Sequence, residues 1–301
     1  MIDNKQPMTI ETRPARRGNV GRFTLSAALC LSAWLAGGDN VGAQTRVTVE
    51  RERAAYQAWV ETAPNSPMAA LAQFRLDRQV VLGPAESEVP LPGLEAHTLE
   101  DGRVVRLRGP SGRSLPRNRL VALGAYRMVL SGARGRTVVT VYDSTTKAKP
   151  LSYYPYDSSL VFTGTLAPPA KARVVRVLAV DGVEVEAAEA GTFRVPLGPG
   201  GTDLTVRRVP DPGTEESELE IYFRDETNDQ GTYPAGRFVS LQPTNDGRYI
   251  LDFNRARNPF CAYSSVYPCP IPWSGNAIPA AVTAGERYSG GGLQLSSPNA
   301  P

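Results

Sequence analysis

The chain has 301 residues, of which 41% are hydrophobic and 21% are charged, an ordinary composition for a globular protein that buries a sizeable core. Its formal net charge is +3, and no stretch beyond residue 43 combines a basic block with interleaved aromatic residues, which argues against nucleic acid as a partner. The 28 glycines and 26 prolines favour turns and short strands over long helices, and the length allows one large β domain or two smaller ones.

Residues 1–43 predict an export signal. A basic region with four arginines precedes an apolar stretch at 23–37 that is too short to span a bilayer comfortably. Small residues at 41–43 suit a signal peptidase, which would leave Gln44 as the new N-terminus. An uncleaved membrane anchor is the alternative, whereas cleavage predicts a periplasmic or secreted protein with no stable membrane insertion. The mature chain would keep 28 basic and 27 acidic residues, a net charge of +1.

The segment 44–78 is predicted to be helical. Residues 46–63 contain good helix formers with apolar residues at helical spacing, which indicates an amphipathic helix laid on the domain. Trp59 belongs to this apolar stripe and is interpreted as a packing residue. The Asn-Ser-Pro sequence at 65–67 is typical of a helix start, so a second short helix is expected to reach Arg75.

Beyond residue 79 the pattern predicts β structure. Asp-Gly pairs at 101–102 and 181–182, and two glycines within 126–143, indicate three hairpins because tight turns need a positive φ. Strands at this spacing without intervening helices favour a mainly β fold, an antiparallel sandwich or partly closed barrel with one or two N-terminal helices. Further short strands are predicted at 191–197, 202–209, 218–225, 236–242 and 249–254.

The same patterns suggest a domain organisation. A β-rich subdomain is predicted at 79–150 and a C-terminal β domain at 151–288, followed by a flexible tail at 289–301. The segment 144–170 is rich in Pro, Tyr and Ser. It either separates two domains or crosses within one, and the sequence leaves that choice open.

The common catalytic and metal-binding motifs are absent from the sequence. It contains no HExxH, CxxC, GxxxxGKS/T or GxSxG segment. His97 is the only histidine, so a site with two histidine ligands is excluded, and a Ser-His-Asp arrangement would need His97. His97 lies beside a predicted hairpin and is interpreted as an edge-strand residue. No cofactor and no metal is indicated, and zinc-hydrolase and serine-hydrolase chemistry are disfavoured.

The most distinctive motifs lie from residue 223 onward. They are FRDETNDQGTYPAGRF (223–238), LDFNRARNPFCAYSSVYPCPIPWSGN (251–276) and AGER (284–287). Together they resemble the bacterial domain-of-unknown-function family 1684. The residues that carry the resemblance are Asp225, Thr227, Thr232, Tyr233, Gly236, Arg237, Asp252, Phe253, Asn254, Ala256, Asn258, Pro259, Cys261, Ala262, Tyr263, Cys269, Pro270, Pro272, Asn276, Gly285 and Glu286.

The resemblance is strong over about residues 223–287 and elsewhere is limited to general layout, an N-terminal helix with a tryptophan followed by a β-rich body. The chain departs from the family pattern at Asp229 and Gly231, which puts in doubt any role for an acidic side chain at 231. Residues 80–105 faintly resemble a forkhead-associated sandwich but lack the residues that read a phosphothreonine. The family has no established biochemical activity, so the resemblance implies membership without a particular function.

Polar residues at the ends of the last strands form the candidate site. Alternation along 249–254 places Asp252 and Asn254 on one face, and Asp225 ends an earlier strand. If these strands pair, Asp225, Asp252 and Arg237 converge at one rim. Three roles stay open: a structural network, a site for an anionic ligand, or a carboxylate pair acting as acid and base. The predicted ligand-binding set is Asp225, Thr227, Tyr233, Arg237, Asp252, Asn254, Asn258, Asn276 and Glu286.

Cys261 and Cys269 lie in a proline-rich loop, and the third cysteine lies in the predicted signal. In an exported protein, two cysteines at this separation can close a small loop, so a disulfide is the preferred prediction. Two free thiols are the alternative. Arg255 and Arg257 supply positive charge that would lower the pKa of a thiol, but no histidine lies near in sequence to act as a base. A metal site is disfavoured because carboxylates are poor co-ligands for thiolates.

The sequence therefore predicts an exported, mainly β binding or structural protein. Its functional surface is expected at a polar rim formed by 225–237 and 252–276, and its partner is an unknown small molecule or none. The rival hypothesis is a hydrolase or lyase in which Asp225 and Asp252 form a carboxylate pair and Arg237 positions an anionic or sugar-like substrate. The two hypotheses differ in whether both carboxylates open to one pocket.

Overall fold

The computed structural model describes residues 39–288, apart from short gaps at 110–111, 144, 147 and 211–215. Most of the predicted signal (1–38) and the predicted tail (289–301) lie outside the described residues. The protein is mainly β, as the sequence predicts, with one N-terminal α-helix. Within the described ranges, no helix is both long and apolar enough to cross a bilayer.

One helix and one short turn precede the first strand. Helix α1 (Asp39–Thr62) begins earlier than the predicted start at residue 46. The predicted second helix is instead a single 3-10 turn (Pro67–Ala69) capped by the Ser66 side chain, followed by strand β1 (Ala70–Arg75). Six residues are too few to hold a helix in isolation, and pairing with a neighbouring strand satisfies their backbone groups.

Eight further strands complete the N-terminal half, in two sheets. The sheets have the orders β1-β9-β8-β7 and β3-β2-β4-β5-β6. Buried apolar side chains from both sheets, such as Leu99 and Leu130, form one cluster, so the sheets pack face to face as a sandwich. The strands are β2 (Val80–Gly83), β3 (Val89–Pro90), β4 (His97–Glu100), β5 (Val105–Arg108), β6 (Arg113–Leu115), β7 (Val121–Leu123), β8 (Tyr126–Ser131) and β9 (Val138–Tyr142).

His97 does not lie at a sheet edge. Its strand, β4, pairs with β2 on one side and with β5 on the other. The imidazole is buried, its Nδ1 lies 2.6 Å from the carbonyl oxygen of Glu95, and its ring packs against Gly109. The edge-strand interpretation was wrong because the sequence indicated only the hairpin partner β5, whereas β4 also pairs with β2.

The C-terminal half is one eight-stranded sheet with the order β10-β17-β16-β15-β14-β13-β11, and β12 pairs with the other part of β13. Strands β10 and β11 adjoin in sequence but end opposite edges of this order, so the sheet curls into a nearly closed barrel. Phe193, Ile221 and Leu251 are among its buried core residues. The strands are β10 (Val161–Gly164), β11 (Leu166–Ala167), β12 (Val174–Leu178), β13 (Glu184–Val195), β14 (Thr202–Pro210), β15 (Ser217–Phe223), β16 (Arg237–Pro243) and β17 (Tyr249–Asp252).

The three predicted hairpins are confirmed, since β4–β5, β8–β9 and β12–β13 pair antiparallel across the predicted turns. The segment 191–197 was predicted as a strand of its own, but most of it continues β13. An irregularity between Glu189 and Gly191 bends that strand. Gly191 has φ 146°, and a Cβ there would collide with the carbonyl oxygen of Ala167, so the bend requires glycine.

A smaller cluster joins the two halves. Ala70 and Tyr142 of the sandwich pack with Tyr233 and Tyr267 from loops of the C-terminal half. The two large apolar clusters are otherwise made of different residues, one from each half. The division into a subdomain and a domain at residue 150 stays a prediction.

Candidate functional site

The nine predicted ligand-binding residues lie inside the protein instead of on an open rim. None of them is more than 8% exposed. Buried polar groups are stable only when they are paired or hydrogen-bonded, so the partners of each residue indicate its role. The nine residues are Asp225, Thr227, Tyr233, Arg237, Asp252, Asn254, Asn258, Asn276 and Glu286.

Arg237 is the centre of this buried network. Its Nη2 donates to Asp225 Oδ2 at 2.8 Å and to the Val282 carbonyl oxygen at 2.9 Å, and its Nη1 donates to the Ala284 carbonyl oxygen. The guanidinium lies 5.4 Å from the ring centre of Phe223. Arg237 begins β16, so these contacts fasten the segment 282–286 to the barrel. The geometry is that of an arginine clamped in a structural lock.

Asp225 closes the loop that follows β15. Its Oδ1 accepts hydrogen bonds from Thr227 N at 2.9 Å, from Thr227 Oγ1 at 2.5 Å and from Val282 N at 3.2 Å. Asn228 continues the loop, because its Oδ1 accepts from Asp225 N and its Nδ2 donates to the Tyr233 carbonyl oxygen. Both carboxylate oxygens of Asp225 are therefore occupied by protein groups.

Asp252 belongs to a separate part of the network. Its Oδ1 accepts from Asn254 N at 2.9 Å and from Asn254 Nδ2 at 2.8 Å, and its Oδ2 accepts from Arg255 at 2.8 Å. Strand β17 ends at Asp252, and a 3-10 turn (Phe253–Arg255) brings Asn254 back to it. Asn254 also exchanges hydrogen bonds with the backbone N and O of Asp157.

The predicted convergence of Asp225, Asp252 and Arg237 is not observed. Strand β16 lies between β15 and β17, so the strands that carry the two aspartates do not pair. Arg237 binds Asp225, whereas Asp252 binds Arg255. The side chains of Asp225 and Asp252 are 0% and 1% exposed. A carboxylate pair needs two acids at one opening, and this geometry does not supply that arrangement.

Glu286 is a buried acid with a raised pKa. It accepts hydrogen bonds from Asn258 N at 2.9 Å and from the Tyr263 hydroxyl at 2.7 Å. Burial is the largest effect and raises the pKa of Glu286 from 4.5 to about 7. Burial and the nearby Glu286 charge also raise the pKa of Tyr263 well above its ordinary value. The pKa of Glu286 therefore lies close to neutral pH.

Two asparagines tie loops to strands. Asn276 accepts from Thr205 N at 2.8 Å and donates to the carbonyl oxygens of Thr205 and Tyr222, which fixes its loop against β14 and β15. Asn258 donates through Nδ2 to the Arg287 carbonyl oxygen at 3.2 Å. Both asparagines bond backbone groups of other segments, as residues that hold loops in place do.

Cys261 and Cys269 are free thiols that share the Tyr233 hydroxyl, at 3.4 and 3.3 Å from their sulfurs. A hydrogen bond from the Cys261 thiol lowers the pKa of Cys269 to about 6, and the same contact together with burial raises the pKa of Cys261. Cys269 is therefore the more acidic thiol of the pair, and the more readily activated as a nucleophile. Their oxidation to a disulfide stays a prediction.

Helix α1 docks on the segment 252–276 through polar contacts that the sequence did not predict. Arg53 donates to the Asn254 carbonyl oxygen at 2.7 Å, Glu52 pairs with Arg255 at 2.7 Å, and Tyr56 meets Tyr263 with 3.4 Å between hydroxyl oxygens. These positions share the helix face that carries Trp59. The apolar periodicity of α1 predicted this face. The polar contacts of the face could not be predicted, because they depend on which loop the helix covers.

Three cavities that share lining residues lie beside α1, and together they are called the groove. The turn cavity (about 300 Å³) lies at the turn between β12 and β13, and the inner cavity (about 200 Å³) shares Trp59, Asp181 and Phe260 with it. The arginine cavity (about 660 Å³) shares Glu218 and Arg257 with the turn cavity. Residues of the motif segment 252–276 line all three cavities.

Glu220 and Arg257 form the floor of the groove. Glu220 is 4% exposed and accepts from Arg257 Nη2 at 3.0 Å. Burial raises the pKa of Glu220, and the Arg257 charge partly offsets that shift. Alternation in β15 places Leu219, Ile221 and Phe223 in the barrel core and Glu220 on the outer face. An acid in the middle of a strand is a usable sequence signal for such a site, and it was missed.

The chain belongs to the family described as Protein of unknown function (DUF1684). Residues 131–287 match this family, which is 157 of the 301 residues. The match starts at the end of β8, long before the distinctive motifs at residue 223, and includes the whole barrel. Most of the sandwich precedes the matched range.

A solution NMR structure of an uncharacterised protein from gene locus rrnAC0354 of Haloarcula marismortui is 32% identical to this chain. The aligned part covers 46% of this chain and 76% of that chain, with a TM-score of 0.38. No curated protein matches the sequence.

Proposed function

We propose that the protein is an exported small-molecule-binding domain whose ligand occupies the groove beside α1. The observation that carries this proposal is the position of the motif segment 252–276. Its buried residues, Asp252 and Asn254, are fixed by the network, while Arg257 and Phe260 of the same segment line the groove. A rigid support beneath a concave surface with a few polar groups is typical of ligand sites.

In this proposal the buried network supports the groove but does not contact the ligand. Asp225 and Arg237 hold the segment 282–286, and Glu286 in turn holds Asn258 and Tyr263. The segment 225–237 of the predicted rim therefore has a structural role, and the segment 252–276 has both a structural and a binding role.

A thermal-shift screen with organic cations, organic anions and neutral sugars tests the binding function. At least one class is expected to raise the Tm of the wild type, because a ligand that binds the folded state stabilises it. Trp59→Leu should abolish that rise. The matched control is Ile271→Ala, which shortens an 83% exposed apolar residue outside the groove. If no class raises the Tm, or the rise persists in Trp59→Leu, the groove is not a ligand site.

Export belongs to the same proposal, and the support for it is the basic and apolar pattern of residues 1–43. Mass spectrometry of the protein recovered from the periplasm or the medium should give a mature chain that begins at Gln44. Recovery of a cytoplasmic chain that retains residues 1–43 would exclude cleavage.

Oxidation of the cysteine pair completes the proposed exported form. The Cys269 thiolate attacks a disulfide of an exchange partner, and the Cys261 thiolate then displaces that partner. One sulfur–sulfur bond forms within the chain and the partner's disulfide breaks, and the two thiol protons of Cys261 and Cys269 pass to the partner, which leaves as a dithiol. The resulting bridge between Cys261 and Cys269 would fasten the loop that lines the groove.

A further inference from the structure

The turn cavity contains a buried carboxylate with one oxygen to spare. Glu220 is 4% exposed and lines this cavity. Its Oε1 accepts from Arg257 Nη2 at 3.0 Å, whereas its Oε2 accepts from no residue that the structure describes and is not sealed inside the protein. A mostly buried acceptor without a partner is costly, so a hydroxyl group that enters the cavity and donates to Oε2 would be stabilised there.

Arg257 supplies donors beside that oxygen. Its Nη2 binds Glu220 and lies 4.0 Å from Glu218 Oε2. Its Nε and Nη1 donate to nothing within the described part of the chain, and neither atom is sealed inside the protein. A carboxylate acceptor next to guanidinium donors matches two neighbouring hydroxyl groups, because one hydroxyl can donate to the acid while the other accepts from the arginine.

The charges around the turn cavity favour an uncharged ligand. Glu220 and Arg257 are close to neutral as a pair. Glu218 is 55% exposed and accepts from the Ser240 hydroxyl at 2.7 Å, and Asp181 accepts from the Val183 amide within its own turn. A charged ligand would compete with bonds that these groups already make, whereas a neutral polar ligand uses only the spare oxygen and the spare guanidinium donors.

One wall of the cavity is aromatic. Trp59 and Phe260 line it, and their ring centres are 6.1 Å apart with an angle of 35° between the ring planes. Tyr56 stacks on Trp59 at 5.6 Å without lining the turn or inner cavity, so it supports the indole ring. Aromatic rings offer a flat apolar surface, and the C–H groups on one face of a sugar ring form a matching apolar surface.

We infer that the turn cavity binds a neutral sugar in its pyranose form. The apolar face of the ring packs on Trp59 and Phe260, and two neighbouring hydroxyl groups bind Glu220 Oε2 and the Arg257 guanidinium. The volume of about 300 Å³ and the mixture of apolar walls with a few polar groups suit one sugar ring. This inference rests on the proposed function and specifies its ligand class.

Methyl pyranosides of glucose, mannose and galactose are the probes, and titration calorimetry on the full mature chain measures their binding. At least one is expected to saturate the protein at millimolar concentration. 2-Methoxytetrahydropyran, which keeps the ring but lacks its hydroxyl groups, should bind about tenfold or more weakly because it cannot pair with the acid and the arginine. No saturable binding of any glycoside, or equal affinity for the compound without hydroxyl groups, would overturn the inference.

Glu220→Gln tests the acid. Glutamine keeps the shape and an oxygen that can accept from Arg257, so the variant should fold and bind the glycoside about tenfold more weakly. The matched control is Glu184→Gln, a strand glutamate that is bonded to Arg136 at 2.8 Å and lies outside the three cavities of the groove. It should bind the glycoside as the wild type does.

Glycosides that each lack one ring hydroxyl separate direct contact from structural support. One of them should bind the wild type about tenfold more weakly and lose nothing further in Glu220→Gln, because the missing hydroxyl is the one that donates to Oε2. If Glu220→Gln weakens every derivative by the same factor, Glu220 does not contact the sugar and the inference is wrong.

Trp59→Leu should abolish glycoside binding. Unchanged binding in this variant would place the sugar elsewhere and would contradict the inference. If the thermal-shift screen instead yields an organic ion whose effect depends on Trp59, and no glycoside binds, the proposed function stands and the ligand class falls. If no class of compound raises the Tm, the proposed function and the inference fall together.

Discussion

The two halves of the molecule bury different kinds of side chain. The sandwich has a core of apolar residues such as Leu99 and Leu130, and its buried polar residues are neutral hydroxyl side chains and His97. Among the described residues, every buried Asp, Glu and Arg lies at position 220 or later. The sandwich is therefore stabilised by apolar packing. The C-terminal half also contains buried charges, which are stable in the protein interior only when opposite charges and hydrogen bonds compensate for lost hydration.

The largest expected effect tests this contrast with two ion pairs of equal length. Arg237 and Asp225 lie 2.8 Å apart at 0% exposure, and Arg194 and Asp203 lie 2.8 Å apart at 61% and 57% exposure. Arg237→Met should lower the free energy of unfolding by about 3–5 kcal/mol, because it leaves a buried carboxylate and three backbone carbonyls without their partner.

Arg194→Met is the control and should change the free energy of unfolding by less than about 1 kcal/mol. Urea denaturation followed by circular dichroism measures both variants, and a variant that does not fold at all agrees with the larger loss. Similar small losses for Arg237→Met and Arg194→Met would show that the network does not hold the barrel together.

The sandwich should respond to a change of volume. Leu130 is 0% exposed in β8 and belongs to the sandwich core, so Leu130→Ala is expected to cost about 3 kcal/mol through lost burial and a cavity. That loss should be the same in acidic and neutral buffer, because no charge changes. A loss that depends strongly on pH would contradict the contrast between the halves.

Glu286 should give the C-terminal half a pH dependence of its own. Its pKa is raised from 4.5 to about 7 by burial, so the folded state holds the proton more tightly than the unfolded state between those values. Its contribution to the free energy of unfolding is therefore largest below about pH 4.5. It falls by roughly 3 kcal/mol at most as the pH rises to about 7.

Glu286→Gln removes that titration, so the stability of the variant relative to the wild type should increase over this pH range. Urea denaturation at several pH values measures the difference. The control is Glu95→Gln, an exposed acid of the sandwich, for which the difference should stay constant. A constant difference for Glu286→Gln would mean that folding does not raise the pKa of Glu286.

The smallest effect concerns the cysteine pair. Non-reducing mass spectrometry of the exported protein is expected to show Cys261 and Cys269 joined, and reduction should lower the free energy of unfolding by about 2–3 kcal/mol because the closed loop is short. Cys269→Ser should be unaffected by reduction. Free thiols in freshly exported protein would instead leave Cys269 as an available nucleophile.

Local patterns predicted much of the fold because turns and alternation are local. The Asp-Gly turn at 181–182 and the alternation that separates Leu219 and Ile221 from Glu220 both follow from two or three neighbouring residues. The second helix was wrongly predicted at 65–75 because the pairing of β1 with β9 joins residues far apart in the chain. The same limit applied to His97, whose second neighbouring strand lies outside its hairpin.

For the candidate site, the sequence identified the right segments but could not assign their exposure. The motifs marked Asp225, Arg237 and Asp252 as unusual, and these residues do form polar networks. Whether a polar residue at a strand end faces solvent or another segment depends on what covers it, and 282–286 and α1 cover them here.

The sequence by itself determined that the chain is mainly β and belongs to this family. It also determined the hairpin turns and the segments that carry the polar residues, because composition, turn chemistry and period-two alternation depend only on neighbouring residues. Only the tertiary structure decided that Arg237 selects Asp225 over Asp252, that Trp59, Asp181 and Phe260 meet around one cavity, and that Cys261 and Cys269 share the Tyr233 hydroxyl. Those contacts join positions separated by long stretches of chain, and their energies depend on burial, which no local pattern specifies.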